Sequence, residues 1–175
     1  LAEELLNRSP WSDLVVTPAA LVPGAGPGGR LSSELRSFLR RCPRPVLTVG
    51  EEASELSKAL LAFDGGGRAT VALYIAAYLA ARWRIPLVVV TVAERFLSPS
   101  PLDKAREYLE AHGVSAEFVE EDRGRIAPTI LAVAREHECD LILMGSYKYS
   151  RWLESVLGGV VDDTVRGFGG AVLVA

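Results

Sequence analysis

The sequence predicts an α/β fold: an open parallel five-stranded sheet, order 3-2-1-4-5, with helices on both faces. Three observations support this. From Lys58 onward, short apolar segments alternate with helical ones, and such alternation builds a parallel sheet covered on both sides. The segment Pro86 to Val92 is almost wholly apolar, as a central strand buried on both faces reads. The stretch Asp140 to Ala175 reads as a strand, a glycine-bearing loop, a glycine pair opening a helix, and a closing apolar strand. A loop placed between a strand's carboxyl end and a helix's amino end presents backbone N–H groups to an anion.

The elements follow in order. Residues 1–9 carry Leu1, Leu5 and Leu6 on one helical face. Asp13 to Val16 is a brief strand. Residues 17–29 are rich in proline and glycine and form a loop. Ser32 or Ser33 caps a helix reaching about Arg41, which Pro43 and Pro45 stop before a strand over Val46 to Val49. A strand over 59–63 ends in Asp64, and Gly65 to Gly67 is a turn into an alanine-dense helix over 68–83. After the strand ending at Val92 comes a loop over 94–100. Pro101 then opens a helix to His112, with Gly113 as its stop. Ser115 to Glu120 alternates like a strand with one solvated face, and residues 125–138 form a further helix. Leu141 to Met144 and Ala171 to Val174 are the last strands.

A weaker copy of the closing frame occupies Asp13 to Val49. The expected organisation is therefore residues 1–50 as the C-terminal part of a degenerate first unit, 51–57 as a linker, and 58–175 as a complete unit. The chain opens on Leu1 and reads as starting inside a domain, so upstream residues are expected to be missing.

Composition excludes several classes. The chain of 175 residues has a net charge of −3 with scattered basic residues, which gives no nucleic-acid groove. The apolar run around Val71 to Ala81 is too short for a membrane span. Cys42 and Cys139 have neither scaffold nor metal spacing and read as reduced thiols of a cytoplasmic protein.

In a parallel sheet of this kind ligands sit beyond the carboxyl ends of the strands, where strand order reverses. Asp64 and the Gly145 loop are thus candidates to face each other across one crevice. Each candidate also has a plainer reading. Asp64 serves as a helix cap, Gly65 to Gly67 as a turn without P-loop spacing, and Gly158 and Gly159 as a helix entry. Lys148, Arg151 and Trp152 are either a solvated loop or a basic lid over phosphate. His112 and His137 lie near helix ends with no ligand partners at metal spacing, and Glu120, Glu121 and Asp122 read as a solvated acidic loop.

With its strand-end aspartate and its spaced glycines, the chain resembles the universal stress protein family. That family carries Gly, two residues, Gly, nine residues, then Gly followed by Ser or Thr. Residues 58–175 match throughout, and residues 1–49 match the back half of a second copy. Gly145 and Gly158 match the first and third glycines; Lys148 stands at the second, and Gly159 replaces the Ser or Thr. The resemblance implies a stress-response protein binding ATP or a related nucleotide, with Mg accompanying it. Asp64 and Val92 would hold the nucleoside, and Gly145, Ser146, Lys148, Gly158, Gly159 and Val160 the phosphates. It equally admits a scaffold that binds no nucleotide, since Lys148 either blocks the loop or supplies a phosphate ligand. No nucleophile, base and orienting group stand together, so a binding protein is favoured over an enzyme, with slow ATP hydrolysis as the enzymatic alternative. Family members associate through the last strand, which implies that Val46 to Val49 pairs with Val172 to Val174 within a tandem pair, or that the strand forms a homodimer.

Overall fold

A computed structural model describes residues 2–19, 32–50, 54–93, 100–122, 124–146 and 159–175. In chain order the elements are α1 (Ala2–Arg8), β1 (Val15–Pro18), α2 (Ser33–Arg41), β2 (Val46–Val49), β3 (Ala59–Ala62), α3 (Gly67–Trp83) and β4 (Leu87–Ala93). There follow α4 (Pro101–Ala111), β5 (Ala116–Asp122), α5 (Ile126–Glu136), β6 (Leu141–Met144), α6 (Val160–Gly167) and β7 (Ala171–Val174). Of the expected loops over 17–29 and 94–100, residues 20–29 and 94–99 lie outside the described residues, as do Lys148 and Gly158, whereas Thr17 and Pro18 are part of β1.

All seven strands join one sheet in the order β1-β2-β7-β6-β3-β4-β5. The five from residue 59 onward are mutually parallel in the expected order, with β3 central between β4 and β6. The sheet is larger than the five strands expected, because β1 and β2 extend it. They pair in parallel with each other, and β2 pairs antiparallel with β7 through Val46↔Val174, Leu47↔Leu173 and Thr48↔Val172. The Thr48 hydroxyl also donates to the Val172 carbonyl at 3.1 Å, a buried bond across this junction.

Helices cover both faces. On one, Leu35 and Phe38 of α2, Ile130 and Val133 of α5, and Val161 and Val165 of α6 pack over Val88, Val90, Ile142 and Val172. On the other, Ala72, Leu73 and Ala76 of α3 and Leu102 and Leu109 of α4 pack over Leu61, Val89 and Leu143. The buried alanines of α3 let its backbone lie close to the sheet. Every residue of β6 and β7 is buried, which accounts for their unbroken apolar sequences.

Two strand expectations are corrected. The first strand is Val15–Pro18, not Asp13 to Val16. Its extent is set by its one partner: Val15 donates to the Pro45 carbonyl at 3.0 Å and Ala19 to that of Val49 at 2.9 Å. Alternation then turns the position of Pro18's missing N–H toward the free edge of the sheet, where proline is tolerated. The acidic run at Glu120, Glu121 and Asp122 is not a loop but the end of β5, paired with Thr91, Val92 and Ala93. β5 is the edge strand with alternating exposure, so carboxylates there reach water.

The segment entering β3 is tethered. Asp140 accepts from the N–H groups of Ser57 at 2.9 Å and Lys58 at 3.0 Å, and the Ser54 hydroxyl donates to the Asp140 carbonyl at 2.9 Å. The chain therefore enters β3 from a clip on the amino end of β6.

Candidate functional site

The carboxyl ends of β3, β4 and β6 stand side by side, and the register places three candidate residues level. Ala62 pairs with both Val90 and Met144. Asp64, Val92 and Ser146 each lie two residues beyond that last paired row. Neighbouring strands are about 4.8 Å apart, so the three span the same edge.

β3 leaves the sheet abruptly. Phe63 donates to the Val90 carbonyl at 2.9 Å, and the buried Thr91 hydroxyl donates to the Phe63 carbonyl at 2.6 Å. Gly65 then takes φ +76°, which glycine adopts without strain. One carboxylate oxygen of Asp64 accepts the Gly66 N–H at 2.8 Å. Asp64 therefore ties the turn before α3, at the amide of the N-cap residue Gly66, where the plainer reading makes Asp64 itself the cap; its side chain stays exposed. Gly66 caps α3 with no side-chain acceptor for the first-turn amides. Next to them Lys104 donates to the Thr70 hydroxyl at 3.2 Å.

Val92 presents its backbone to the same gap. The carbonyls of Pro86 and Val90 accept from Ala59 and Phe63, so even-numbered residues of β4 direct their peptide groups toward β3. By alternation the N–H and C=O of Val92 point that way too, past the point where β3 has ended. Its side chain packs against the core on the α2, α5, α6 face.

Gly145 follows β6 directly and lies against the first turn of α3, at Arg68 and Ala69. The Ser146 N–H is occupied, donating to the Ala175 carbonyl at 2.7 Å, so this amide is not available to a ligand. Lys148 and Gly158 lie outside the described residues. Gly159 is buried and caps α6 with no side-chain acceptor, and Val160 is the first helical residue. As a crossover helix between parallel strands β6 and β7, α6 starts at the carboxyl end of β6, the same edge as Asp64 and Gly145.

Two carboxylates occupy the first turn of α6, and each has an arginine. Asp163 pairs with Arg166 at 2.7 Å. Asp162, almost wholly buried, stands 2.6 Å from the guanidinium Nε of Arg36 on α2. The two atoms form an ion pair without the alignment of a hydrogen bond. At the far side of the crevice the Ser100 hydroxyl donates to Glu120 at 3.1 Å. Sequence reasoning missed these partners. The available signals were an Asp pair just after a helix-opening glycine and an arginine set among buried positions of α2. Among the described residues no cluster of His, Cys, Asp or Glu could hold a metal ion, and no helix is long and apolar enough to cross a membrane.

The model of the universal stress protein family matches residues 55–175. The chain belongs to that family. No curated protein matches it. Among solved structures, a universal stress protein from Archaeoglobus fulgidus is similar at a TM-score of 0.82 and 20% identity, over 99% of this chain and 64% of that one. The present chain thus spans less than two thirds of that universal stress protein. A universal stress protein in complex with cAMP is similar at a TM-score of 0.61 and 22% identity, over 71% of this chain and 98% of its own. A universal stress protein family member from Burkholderia pseudomallei is similar at a TM-score of 0.54 and 26% identity, over 71% of this chain and 98% of its own. The first two likenesses, below 25% identity, speak for the universal stress protein fold alone.

Proposed function

We propose that this universal stress protein binds an adenine nucleotide, ATP or a relative of it, in the crevice at the carboxyl ends of β3, β4 and β6. The observation that carries this is the level placement of Asp64 and Val92, with the Val92 peptide groups directed into the gap beyond β3. A strand edge with a donor and an acceptor suits the Watson–Crick edge of a purine, and an exposed carboxylate suits ribose hydroxyls. Gly145, Gly159 and Val160, with Gly158, would then hold the phosphates at the start of α6. Mg would accompany ATP as a charge partner of its phosphates. That a family member of the same fold is a cAMP complex supports a nucleotide-sized ligand.

Residues 1–50 are read as the back half of a first unit, 51–57 as a linker and 58–175 as the complete unit. The β1-α2-β2 segment repeats the order of β6-α6-β7 and meets it at the β2–β7 junction. The setting proposed is the cytoplasm, consistent with two free thiols.

A second reading, a scaffold that binds no nucleotide, draws on the occupied Ser146 amide and on Lys148 in place of a family glycine. Mass spectrometry of small molecules released from the native protein, followed by calorimetry with ATP and cAMP, separates the two. Binding that Gly158→Asp abolishes with little change in stability supports the nucleotide site. Absence of both released nucleotide and binding heat leaves the scaffold.

A further inference from the structure

The geometry points to the Arg36–Asp162 pair as a selectivity device, which makes the β7–α6 face accept this chain's own α2–β2 segment and reject a second copy of itself. The inference goes beyond nucleotide binding and does not depend on it.

The junction is self-complementary. The first residue of β2, Val46, pairs with the last of β7, Val174; the second pairs with the third and the third with the second. An isologous interface has this form, in which each position meets the counterpart of its partner's position. The overlying helices correspond too. With Ser32–Ser33 set against Gly158–Gly159, Leu35 falls on Val161, Phe38 on Thr164 and Leu39 on Val165, and all six are buried.

In the same alignment Arg36 falls on Asp162. These two residues are therefore counterparts, and they are also in contact, at 2.6 Å. A position that touches its own counterpart lies on the axis of the pseudo-symmetric pair. If two copies of the β6-α6-β7 unit joined through β7, Asp162 would face a second Asp162 at that spot. Asp162 is 3% exposed, so water would do little to screen the two charges. The repulsion would oppose association through an otherwise apolar strand edge. The α2–β2 segment offers the same strand pairing and the same buried helix positions with an arginine on the axis instead. Complementary charge at one desolvated position thus selects the partner, while the strand pairing supplies the adhesion.

The test uses the full chain. Arg36→Gln and Asp162→Asn break the same ion pair, and a purely structural role gives Asp162→Asn no gain in self-association over Arg36→Gln, since it leaves the more exposed partner behind. Selectivity requires them to differ. Arg36→Gln keeps Asp162 and should show the same mass as wild type in light scattering over a concentration series. Asp162→Asn removes the repulsion and should gain a dimer whose association constant is about tenfold or more above wild type, about 1.4 kcal/mol. The exchanged pair Arg36→Asp with Asp162→Arg should recover the wild-type unfolding temperature and oligomeric state even where the single variants fold poorly. Equal oligomeric behaviour of the two single variants, or failure of the exchanged pair to recover, overturns the inference.

Discussion

Gly145 is seated on the amide of Ala69: a Cβ built at Gly145 would stand 2.6 Å from that nitrogen and 2.8 Å from the carbonyl carbon of Arg68. The end of β6 and the first turn of α3 are joined at this point, which brings the Gly145 loop and the Asp64 turn to one crevice. The glycine is required here by close approach of two backbones, since Gly145 is not among the described glycines with positive φ.

Gly145→Ala should therefore destabilise the protein by about 1–3 kcal/mol, the usual cost of forcing a methyl group into a filled site. The atoms it meets are mostly backbone and cannot swing aside. Urea denaturation checks this, and an unchanged midpoint would contradict the close packing. Nucleotide affinity should fall with it, because the loop must lift away from α3.

Asp140 makes stability depend on acid pH. Burial alone would raise its carboxyl, but the N–H groups of Lys58 and Ser57, with the Ser57 and Ser54 side chains, outweigh that and hold it below its ordinary value. The native state then binds fewer protons than the unfolded chain around and below about pH 3.9. The stabilisation is present above the unfolded pKa and is lost as pH falls through the folded one. Asp140→Asn should be less stable at pH 7 and show a flatter acid limb in a plot of unfolding free energy against pH.

Cys139 should be inert as a nucleophile. Burial pushes its thiol up to about 11; Lys58 opposes this, while the charges of Asp140 and Glu117 add to it. At pH 8 its thiolate is scarcer than that of an ordinary thiol by on the order of a hundredfold. Peptide mapping after timed alkylation of native protein should find Cys139 modified slowly, and as fast as a free thiol only after denaturation. Fast native labelling would contradict the burial.

Lys148, at the family's second glycine, lies outside the described residues and is tested by affinity. As a steric block, its replacement by glycine should tighten ATP binding. As a phosphate ligand worth about 1.5–3 kcal/mol, its loss should weaken binding roughly tenfold or more, most visibly at low salt. The expected outcome is tightening, since glycine at the family's second position permits a close backbone approach that a side chain obstructs. Calorimetric titration of Lys148→Gly at two ionic strengths decides, and unchanged affinity would defeat both roles.

The strands β2, β6 and β7 fall on the residues their apolar runs mark, α2 starts at its serine cap Ser32, and α4 starts at Pro101. These features are local, so a single stretch of sequence carries them. The same holds for Asp64, Val92 and Gly145, which punctuate strand ends. β1 and β5 were misplaced at their ends because a strand's length is set by its neighbour's ladder and not by its own composition.

What the sequence determined by itself, then, is the order of elements, their apolar faces, the parallel sheet and the residues at its carboxyl edge, because period, capping and turn chemistry act over a few neighbouring positions. What only the tertiary structure decided is who occupies whom. The Ser146 amide is taken by Ala175, Gly145 is held to glycine by Ala69, and Asp162 is matched by Arg36 across the β2–β7 junction. Those relationships join residues far apart in the chain, and distance in space, on which packing and charge depend, is set only when the sheet has brought them together.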